Sequence, residues 1–253
     1  MTTRAMITGA AGGLGRAVAD ALAARGCRLA LVDIDAAALD AAVADCGPGA
    51  VGILCDLAAP DGPAHAVARA TAALGGLDIV VNNAGFGEAV SFFALDAAHW
   101  DRTLALNLRA VALICSAAGR VMRAARSGRI VNITSPASRM ALPDYLAYAA
   151  SKAGVDAVTR AAALALAPFG VAVTSVAPGM MDTPLQRLTE RQLAALAGRD
   201  DVDAFLAERT ARIPQGRRTD PATVARAVVW LALDAPDAVT AERLNVSGGL
   251  DRD

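Results

Sequence analysis

The chain alternates between short apolar runs and longer segments with the hydrophobic spacing of helices. The apolar runs are brief and lack an alternating polar face, which is typical of parallel strands buried on both sides. In chain order they read AMIT, RLALVD, VGILC, LDIVV, GRIVNIT, VAVTSVA and RLNV. The amphipathic or Ala-rich stretches lie at residues 14–25, 36–45, 61–74, 97–126, 145–168 and 221–233.

Regular β-α-β alternation predicts a single α/β domain over residues 1–253, with a doubly wound parallel sheet of about seven strands and helices on both faces. Segment 180–220 is the exception, because it carries two helix-like stretches and no strand. It follows Pro178 and Gly179 at the end of a strand. Insertions at that end of a sheet lie over the ligand crevice, so we expect this segment to form a mobile lid that binds substrate.

Composition narrows the possible functions. The formal net charge of −1 offers no basic face for a nucleic-acid backbone. Mean hydropathy is +0.41, yet charged residues or Gly interrupt each apolar run before the roughly 20 residues that span a bilayer. The N-terminus lacks the sustained apolar stretch of a secretory leader. We therefore expect a cytoplasmic protein with no nucleic-acid or membrane partner.

The cysteines give no sign of a metal site or a disulfide framework. None of them forms a CxxC pair, and neither histidine lies near any of them in the sequence. We interpret Cys27, Cys46, Cys55 and Cys115 as reduced, small apolar residues, and we expect no bound metal.

A glycine-rich turn follows the first predicted strand and leads directly into a helix. Its sequence, TGAAGGLG at residues 8–15, spaces Gly9, Gly13 and Gly15 as G-x-x-x-G-x-G. Such a turn lets a pyrophosphate approach the backbone, where the exposed amides at the helix N-terminus stabilise its charge. Tight turns also need Gly for steric reasons alone, so the pattern gains weight from the strand before it and the helix after it.

Asp33 ends the second predicted strand, where a carboxylate can accept hydrogen bonds from the adenosine ribose hydroxyls. The same charge repels a 2′-phosphate, and the next residues, Ile34 and Asp35, supply no positive charge to offset it. This predicts that NAD(H) is preferred over NADP(H). The alternative is a strand-end Asp that merely caps the following turn.

Tyr148 and Lys152 are four residues apart in a predicted helix and therefore project from one face. Lys152 is the one lysine in a chain that otherwise uses Arg for positive charge. A phenol has a pKa near 10, too high for an efficient base at neutral pH, and an adjacent ammonium favours the phenolate. Lys suits this role because its compact charge also donates to ribose hydroxyls. A stray Lys retained by chance is the alternative.

Ser135 lies at the end of the strand GRIVNIT, and Pro136 after it favours an extended conformation. A hydroxyl at that position could hold a substrate oxygen while Tyr148 exchanges its proton. Taken singly, a strand-end Ser and a Tyr in an Ala-rich helix are more often structural.

The combination of motifs is more specific than any of them alone. TGxxxGxG, Asp33, NNAG at 82–85, Asn107, S-x12-Y-x3-K and PGMMDT at 178–183 follow one another in the order and spacing of the short-chain dehydrogenase/reductase family, which the chain resembles over essentially its whole length. The resemblance implies a Rossmann-type fold and an oxidoreductase that interconverts a secondary alcohol and a ketone by hydride transfer with NAD(H).

The resemblance also implies residue roles. Tyr148 would be the general acid/base, and Lys152 would lower its pKa and bind the nicotinamide ribose. Ser135 would orient the substrate oxygen, and Asn107 would help to hold a water of a proton relay. The implied cofactor-binding residues are Gly9, Gly12, Gly13, Leu14, Gly15, Asp33, Ile34, Asp56, Leu57, Asn83, Ala84, Gly85, Tyr148, Lys152, Pro178, Gly179, Met181 and Thr183. Family members are usually homotetramers or homodimers built through the two long helices, here 97–126 and 145–168.

The expected substrate pocket is mostly apolar, which favours a neutral secondary alcohol or ketone. Its residues include Ser135, Pro136, Ala137, Ser138, Tyr145, Tyr148, Phe86 and the lid from Met180 to Leu188. Tyr145 could equally serve in packing, and Arg139 could bind a carboxylate or simply be solvated.

Two alternatives to this function stay open. One is a ketoreductase resembling the 3-oxoacyl-carrier-protein reductases, whose acidic partner would need a basic patch such as Arg120, Arg123, Arg126 and Arg129. The other is a non-catalytic regulatory protein that binds a dinucleotide.

Overall fold

The apolar runs form a single parallel sheet in the computed structural model, which describes residues 2–251. Within that range its seven strands stand in the order β3-β2-β1-β4-β5-β6-β7, and every neighbouring pair is parallel. They are β1 (Arg4–Thr8), β2 (Arg28–Asp33), β3 (Ala50–Leu54), β4 (Ile79–Asn82), β5 (Gly128–Ile133), β6 (Val171–Pro178) and β7 (Arg243–Val246). The predicted fold class and strands are confirmed.

Helices cover both faces of the sheet and bury two separate apolar clusters. One cluster packs α1, α2 and α9 against the sheet, and the other packs α3, α5 and α6. The helices are α1 (Gly13–Ala24), α2 (Ala36–Cys46), α3 (Gly62–Leu74), α4 (Ala97–Leu104), α5 (Val111–Ala125), α6 (Leu146–Leu166), α7 (Pro184–Leu196), α8 (Val202–Ala211) and α9 (Pro221–Val229). Strands covered on both faces explain why their sequences are apolar throughout rather than alternating.

The strand order reverses direction between β1 and β4. The chain winds outward from β1 to β3, then crosses to the far side of β1 and continues outward from β4 to β7. The loops that leave β1 and β4 consequently diverge and open a crevice at the carboxyl edge of the sheet, which is where ligands bind in such folds.

The predicted long helix 97–126 is interrupted. A π-helical turn, Ala105–Ala110, separates α4 from α5. Such a turn accommodates one extra residue and is frequent at functional sites, and here it contains Asn107. The predicted helix 145–168 is α6 followed by a short 3-10 turn, Ala167–Phe169.

The segment over the crevice contains the two expected helices, α7 and α8, and adds no strand to the sheet. Each helix begins at a capping side chain: Thr183 accepts a hydrogen bond from the Gln186 amide at 3.3 Å, and Asp201 accepts one from the Ala204 amide at 2.9 Å. A single bridge between Met181 and Thr219 closes the base of the segment. Its motion as a lid stays a prediction.

Within residues 2–251, one helical stretch is long and apolar enough to cross a membrane by length and composition alone. It is Ala97–Ala125, with a mean hydropathy of 1.4 and 44% of its most apolar window buried in the protein. It packs against α3, α6 and the sheet.

Candidate active site

The turn after β1 leaves open space where a phosphate group would approach. Gly9 has a φ of +62°, and its amide donates to the Val32 carbonyl at 2.9 Å. A Cβ atom at Gly9 would lie 2.9 Å from Cα of Ala84, whereas one at Gly12 would meet nothing within 4 Å. The helix α1 begins at Gly13, so its unpaired amides face this opening. The turn therefore fits the pyrophosphate of a dinucleotide.

Gly15 serves a different purpose from the one the resemblance implies. It is buried and does not line the cleft. A Cβ atom there would collide with the carbonyl oxygen of Gly9. Its lack of a side chain lets α1 pack directly against the turn, so its effect on a cofactor is indirect.

A cleft of about 460 Å³ runs along the carboxyl edge of the sheet and gathers most of the predicted cofactor residues. Among those predicted, the lining includes Gly9, Gly12, Gly13, Leu14, Asp33, Ile34, Asp56, Leu57, Asn83, Ala84, Gly85, Tyr148, Lys152, Pro178, Gly179, Met181 and Thr183. Pro184, Leu185 and Gln186 of the predicted lid also line it, together with residues that the sequence analysis did not assign to the cofactor or substrate: Val32, Cys55, Gly87, Leu106, Ile133, Thr134 and Thr189. Val32, Cys55, Ile133 and Thr134 lie at or just after the ends of strands, which is the one signal that the sequence offered for them.

Asp33 orients its carboxylate with three backbone amides. Oδ1 accepts from the amides of Ile34 at 2.8 Å and Asp35 at 3.2 Å, and Oδ2 accepts from the amide of Ala11 at 2.9 Å. The carboxylate is thereby fixed between β2 and the glycine turn, with its outer side on the cleft.

Asn83 braces the glycine turn from the neighbouring strand. Its side-chain amide donates to the carbonyls of Thr8 and Gly9, both at 3.0 Å. In return the Thr8 hydroxyl accepts from the amides of Asn83 and Ala84, both at 3.0 Å. These bonds tie the ends of β1 and β4 together and leave the backbone of Ala84 and Gly85 on the cleft.

Lys152 and Tyr148 meet in the cleft as their helical spacing predicts. Nζ of Lys152 lies 5.6 Å from the Tyr148 ring centroid and donates to the Ile133 carbonyl at 2.9 Å. The Lys152 residue is only 4% exposed. The ammonium is therefore anchored by the end of β5, beneath the tyrosine.

The expected lowering of the Tyr148 pKa is not found in this structure. Burial raises the pKa of Tyr148, and a hydrogen bond with Ser135 offsets only part of that effect. Burial also lowers the pKa of Lys152 to about 8, against a weaker opposing effect of Asp156. The physical reason is that both groups lose water, while the ammonium directs a hydrogen bond to a carbonyl and lies beside the aromatic ring.

Asn107 is fully buried, with 0% of its surface exposed, and does not line the cleft itself. Its Oδ1 accepts from the Phe86 amide at 3.0 Å, and its Nδ2 donates to the Phe86 carbonyl at 2.8 Å and to the Ser151 hydroxyl at 3.3 Å. A Cβ atom built at Gly85 would lie 3.1 Å from Oδ1 of Asn107 and 3.6 Å from Nζ of Lys152. The two polar groups thus border the same small space behind Gly85.

Ser135 sits at the point where β5 ends, in the extended conformation expected before Pro136, with φ of −164° and ψ of 153°. Its hydroxyl accepts from the Ala137 amide at 3.2 Å. Its carbonyl accepts from Nη2 of Arg243 at 3.0 Å. These contacts fix the backbone that carries the Ser135 hydroxyl, whose interaction with Tyr148 acts to lower the pKa of that tyrosine.

A second cavity of about 240 Å³ opens beside the cleft and shares part of its wall. Ser135, Tyr145 and Tyr148 line both spaces. The two tyrosine rings stack with centroids 4.3 Å apart, and the Tyr145 hydroxyl lies so close to Gly87 that a Cβ there would collide with it. Tyr145 therefore both packs and lines the cavity.

The composition of this cavity partly corrects the predicted substrate pocket. Pro136, Ala137 and Met180 line it as expected, together with Gln186 of the predicted lid. Neither Phe86 nor Ser138 does; the Ser138 hydroxyl turns away and donates to Asp156 at 2.6 Å. The cavity also contains residues the sequence analysis did not anticipate: Met140, Leu142, Pro143, Asp144, Leu193, Arg209, Arg212 and Leu250. Arg139 and Leu188 do not line it.

Comparison with known proteins places the chain in a family. A family model described as enoyl-(acyl carrier protein) reductase matches residues 9–251. A cis-4-hydroxycyclohexanecarboxylate dehydrogenase of Sinomonas cyclohexanicum is 40% identical over 248 residues, which are 97% of this chain and 95% of that protein. The chain belongs to the short-chain dehydrogenase/reductase family.

Solved structures agree with this assignment. A levodione reductase superposes with a TM-score of 0.92 at 30% identity, covering 99% of both chains. An NAD+-bound xylitol dehydrogenase superposes with a TM-score of 0.91 at 28% identity, covering 98% of both chains. The chain is thus a short-chain dehydrogenase/reductase that interconverts a secondary alcohol and a ketone with a nicotinamide dinucleotide. The predicted family and activity are confirmed, which removes the non-catalytic alternative.

Replacing Lys152 with Met should stabilise the protein at neutral pH. The folded state lowers the pKa of this ammonium from 10.5 to about 8, and each pH unit of that displacement corresponds to about 1.4 kcal/mol. Losing the charge should therefore add on the order of 2 kcal/mol to the free energy of unfolding, after allowance for the lost bond to Ile133. Thermal unfolding at pH 7 measures the gain, and Lys152→Arg, which keeps a buried cation, is the control.

The same variant should change the pH dependence of stability. Between about pH 8 and 10.5 the unfolded wild type binds more protons at Lys152 than the folded one, so wild-type stability rises with pH and the advantage of Lys152→Met shrinks. The expectation is contradicted if Lys152→Met is less stable than wild type at pH 7 and its free energy of unfolding depends on pH as the wild type's does. The buried ammonium would then not destabilise the folded state.

Proposed function

We propose that this enzyme oxidises a small secondary alcohol with NAD+ and that Tyr148 takes the hydroxyl proton. The observation that supports this most directly is the common wall of the two cavities, where Ser135 and Tyr148 both lie between the dinucleotide cleft and the smaller cavity. A carbinol placed in the smaller cavity would present its hydroxyl to both side chains. The dinucleotide, when bound, supplies the acceptor for the hydride.

Each of the four catalytic residues has a separate role that follows from its position. Ser135 holds the substrate oxygen, and Tyr148 accepts its proton or returns it in the reverse direction. Lys152, with its ammonium at the end of β5, stabilises the phenolate that results and donates to the nicotinamide ribose. Asn107 and Lys152 border the space behind Gly85, where a water would connect the ammonium to a proton relay.

The charge distribution around Asp33 supports a preference for NAD(H). Its fixed carboxylate lies at the adenosine end of the cleft and would repel a 2′-phosphate. Arg16, the basic residue that directly follows the glycine turn, is paired with other carboxylates: it donates to Asp20 at 2.9 Å and to Asp45 at 2.6 Å. No side chain of Lys or Arg other than Lys152 lines the cleft within the described residues.

The cavity of about 240 Å³ supports a small substrate, because drug-sized ligands usually occupy roughly 300–1,000 Å³. By its name, the 40% identical relative acts on a hydroxylated six-membered ring, and we infer a substrate of similar size here. That relative's designation as a dehydrogenase also supports oxidation as the working direction.

The four arginines considered for a carrier-protein partner do not support the ketoreductase alternative. Arg126 and Arg129 lie at the amino edge of the sheet, near Gly128 and Val171. Arg129 is paired with Asp237 at 2.7 Å, and Arg123 covers the Phe169 ring at 4.7 Å. Arg126 and Arg129 are therefore at the opposite edge of the sheet from the substrate cavity.

We infer a homotetramer or homodimer, assembled through α5 and α6 and located in the cytoplasm. Both helices carry a large apolar side chain on their outer side, since Leu113 is 40% exposed and Leu164 is 75% exposed. The free state of all four cysteines supports a reducing compartment.

Tyr148→Phe should greatly reduce turnover and leave cofactor binding unchanged. The variant keeps the ring and its stacking but cannot carry the proton, so kcat should fall by about 100- to 10,000-fold. The dissociation constant for NAD+, measured by fluorescence quenching, should stay within about twofold. Tyr145→Phe, its stacked neighbour, is the matched control and should lose less than about tenfold. Comparable turnover by Tyr148→Phe and wild type would refute the proton role.

Asp33→Asn should weaken the discrimination against NADP+. The wild type should bind NAD+ at least about 10-fold more tightly than NADP+, and the variant should narrow that ratio by about 10-fold because the 2′-phosphate no longer meets a negative charge. Asp35→Asn is the control, since Asp35 caps α2 and does not line the cleft. Tighter binding of NADP+ by the wild type in calorimetry would overturn the assignment.

Leu164→Arg should disrupt the oligomer. A charge at this exposed position on α6 would be buried in a helix-packed interface, whereas it would be solvated in a monomer. Light scattering after size exclusion should show a tetramer or dimer for the wild type and a smaller species for the variant. The exposed Leu54 of β3 offers a control, since Leu54→Arg should leave the mass unchanged. A monomeric wild type would contradict the assembly.

A further inference from the structure

The lid side of the substrate cavity carries two guanidinium groups. Arg209 lies in the last turn of α8, and Arg212 is its C-terminal cap. Their spacing of three residues places them on one face of the helix, and both line the cavity that also contains Ser135 and Tyr148. Cations near a helix C-terminus stabilise the helix in any protein. A binding role for these two arginines must therefore be judged from the hydrogen-bond partners of each guanidinium.

A buried carboxylate nearby is neutralised mainly by a different arginine. Glu190 of α7 is 0% exposed and accepts two hydrogen bonds from Arg218, at 2.8 Å from Nη1 and 3.0 Å from Nη2. This paired arrangement is the strong form of a carboxylate–guanidinium contact. Arg209 reaches the same carboxylate only through Nε, at 3.4 Å. Three atoms of two arginines therefore share one negative charge.

The terminal nitrogens of Arg209 are left without an acceptor. Within residues 2–251, Nη1 and Nη2 of Arg209 make no hydrogen bond, while the guanidinium carbon lies 5.7 Å from the Phe205 ring centroid. The group is also close to the stacked tyrosines: burial raises the pKa of Tyr145 well above its usual value, and the charge of Arg209 acts in the opposite direction. Arg209 is thus held in place with its donors unused beside the cavity.

Arg212 has no strong partner either. Its side chain makes no hydrogen bond or ion pair among the described residues. The carboxylate it influences, Glu208, is already held by Arg199 through two hydrogen bonds of 2.6 and 3.1 Å, and those bonds lower the Glu208 pKa more than Arg212 does. The guanidinium of Arg212 is therefore available to a ligand.

The balance of charge in the cavity favours a single negative charge. Asp144, on the turn before α6, is the one carboxylate that lines the cavity within the described residues, against the two arginines. The surplus of one positive charge matches a carboxylate better than a phosphate dianion. A guanidinium fork also matches the planar geometry of a carboxylate.

We propose that the substrate is a small hydroxy acid, whose carboxylate is bound by Arg209 and Arg212 while its hydroxyl meets Ser135 and Tyr148. This substrate class rests on the proposed alcohol oxidation, but the anion site itself does not. It replaces the neutral substrate expected from the sequence. The lid then contributes a charge to recognition and carries no part of the proton transfer.

Binding of an unreactive probe tests the anion site directly. With NAD+ present, calorimetry should show that cyclohexanecarboxylate binds the wild type at least about 10-fold more tightly than cyclohexanecarboxamide, because only the acid forms charge-assisted bonds. Arg212→Gln should remove most of that preference and leave amide binding unchanged. Arg191→Gln is the control, since it removes an exposed charge from α7 that does not line the cavity.

Arg209→Gln gives an independent second variant. It should also lose the preference for the acid, and its melting temperature shows whether the contact with Glu190 matters for folding. Equal binding of acid and amide by the wild type would overturn the proposal. Tighter binding of cyclohexyl phosphate than of the carboxylate would overturn the assignment to a carboxylate.

Turnover separates this proposal from the proposed function. For 4-hydroxycyclohexanecarboxylate, Arg212→Gln should raise KM about 10-fold with kcat little changed, because the carboxylate is remote from the reacting carbon. The methyl ester of the same compound should show no such effect. If no alcohol is oxidised yet the carboxylate probe still binds, the proposed oxidation is refuted and the proposed anion site is supported. If neutral alcohols are oxidised with no preference for the hydroxy acid, the proposed anion site is refuted and the proposed oxidation is supported.

Discussion

The site depends on holding one ammonium almost out of water. Lys152 is buried beneath Tyr148 and is supported by a single carbonyl at the end of β5. A charge in that position is unfavourable to the folded state, and the lowered pKa of Lys152 expresses this directly. Burial also disfavours the phenolate of Tyr148, its proposed partner in the mechanism. A phenolate beside the ammonium would offset part of both penalties, because opposite charges favour each other's charged forms.

The sheet brings the required groups together because all its strands point the same way. The glycine turn, Asp33, Asn83, Ser135 and Pro178 each lie at or just after the end of a different strand, and parallel strands end at one edge. Residues far apart in the chain therefore become neighbours without any long-range sequence signal. The reversal of strand order between β1 and β4 then opens the space in which they meet.

This arrangement explains what could be predicted from the sequence. The β-α-β alternation and the helical spacing of Tyr148 and Lys152 are local patterns, so the strands, the fold and the meeting of these two groups followed from them. The resemblance to a family supplied the order of the remaining motifs. The sequence did not predict the π-helical turn at Asn107, because the residues of that turn are ones that ordinary α-helices also contain.

Other features depend on quantities that no local pattern contains. The pKa of Tyr148 is raised by burial, and burial is fixed only when segments far apart in the chain pack together. Gly15 fits a phosphate-binding motif, yet its role is to let α1 approach the Gly9 carbonyl. Arg209 and Arg212 belong to an ordinary polar helix in sequence, and only the docking of α8 brings them to the cavity.

The sheet edge and the lid thereby serve different functions: the edge carries the groups for proton and hydride transfer, and the lid contributes to substrate specificity. The edge holds the groups that must be rigid for proton and hydride transfer, anchored by backbone bonds such as those of Asp33 and Lys152. The lid is organised around Glu190, whose buried charge requires a full partner, and Arg218 provides it. Because that requirement is met, Arg209 keeps its terminal donors unused. The same buried carboxylate thus fixes the lid and leaves a charge available in the cavity, so specificity can change in the lid without disturbing the chemistry below.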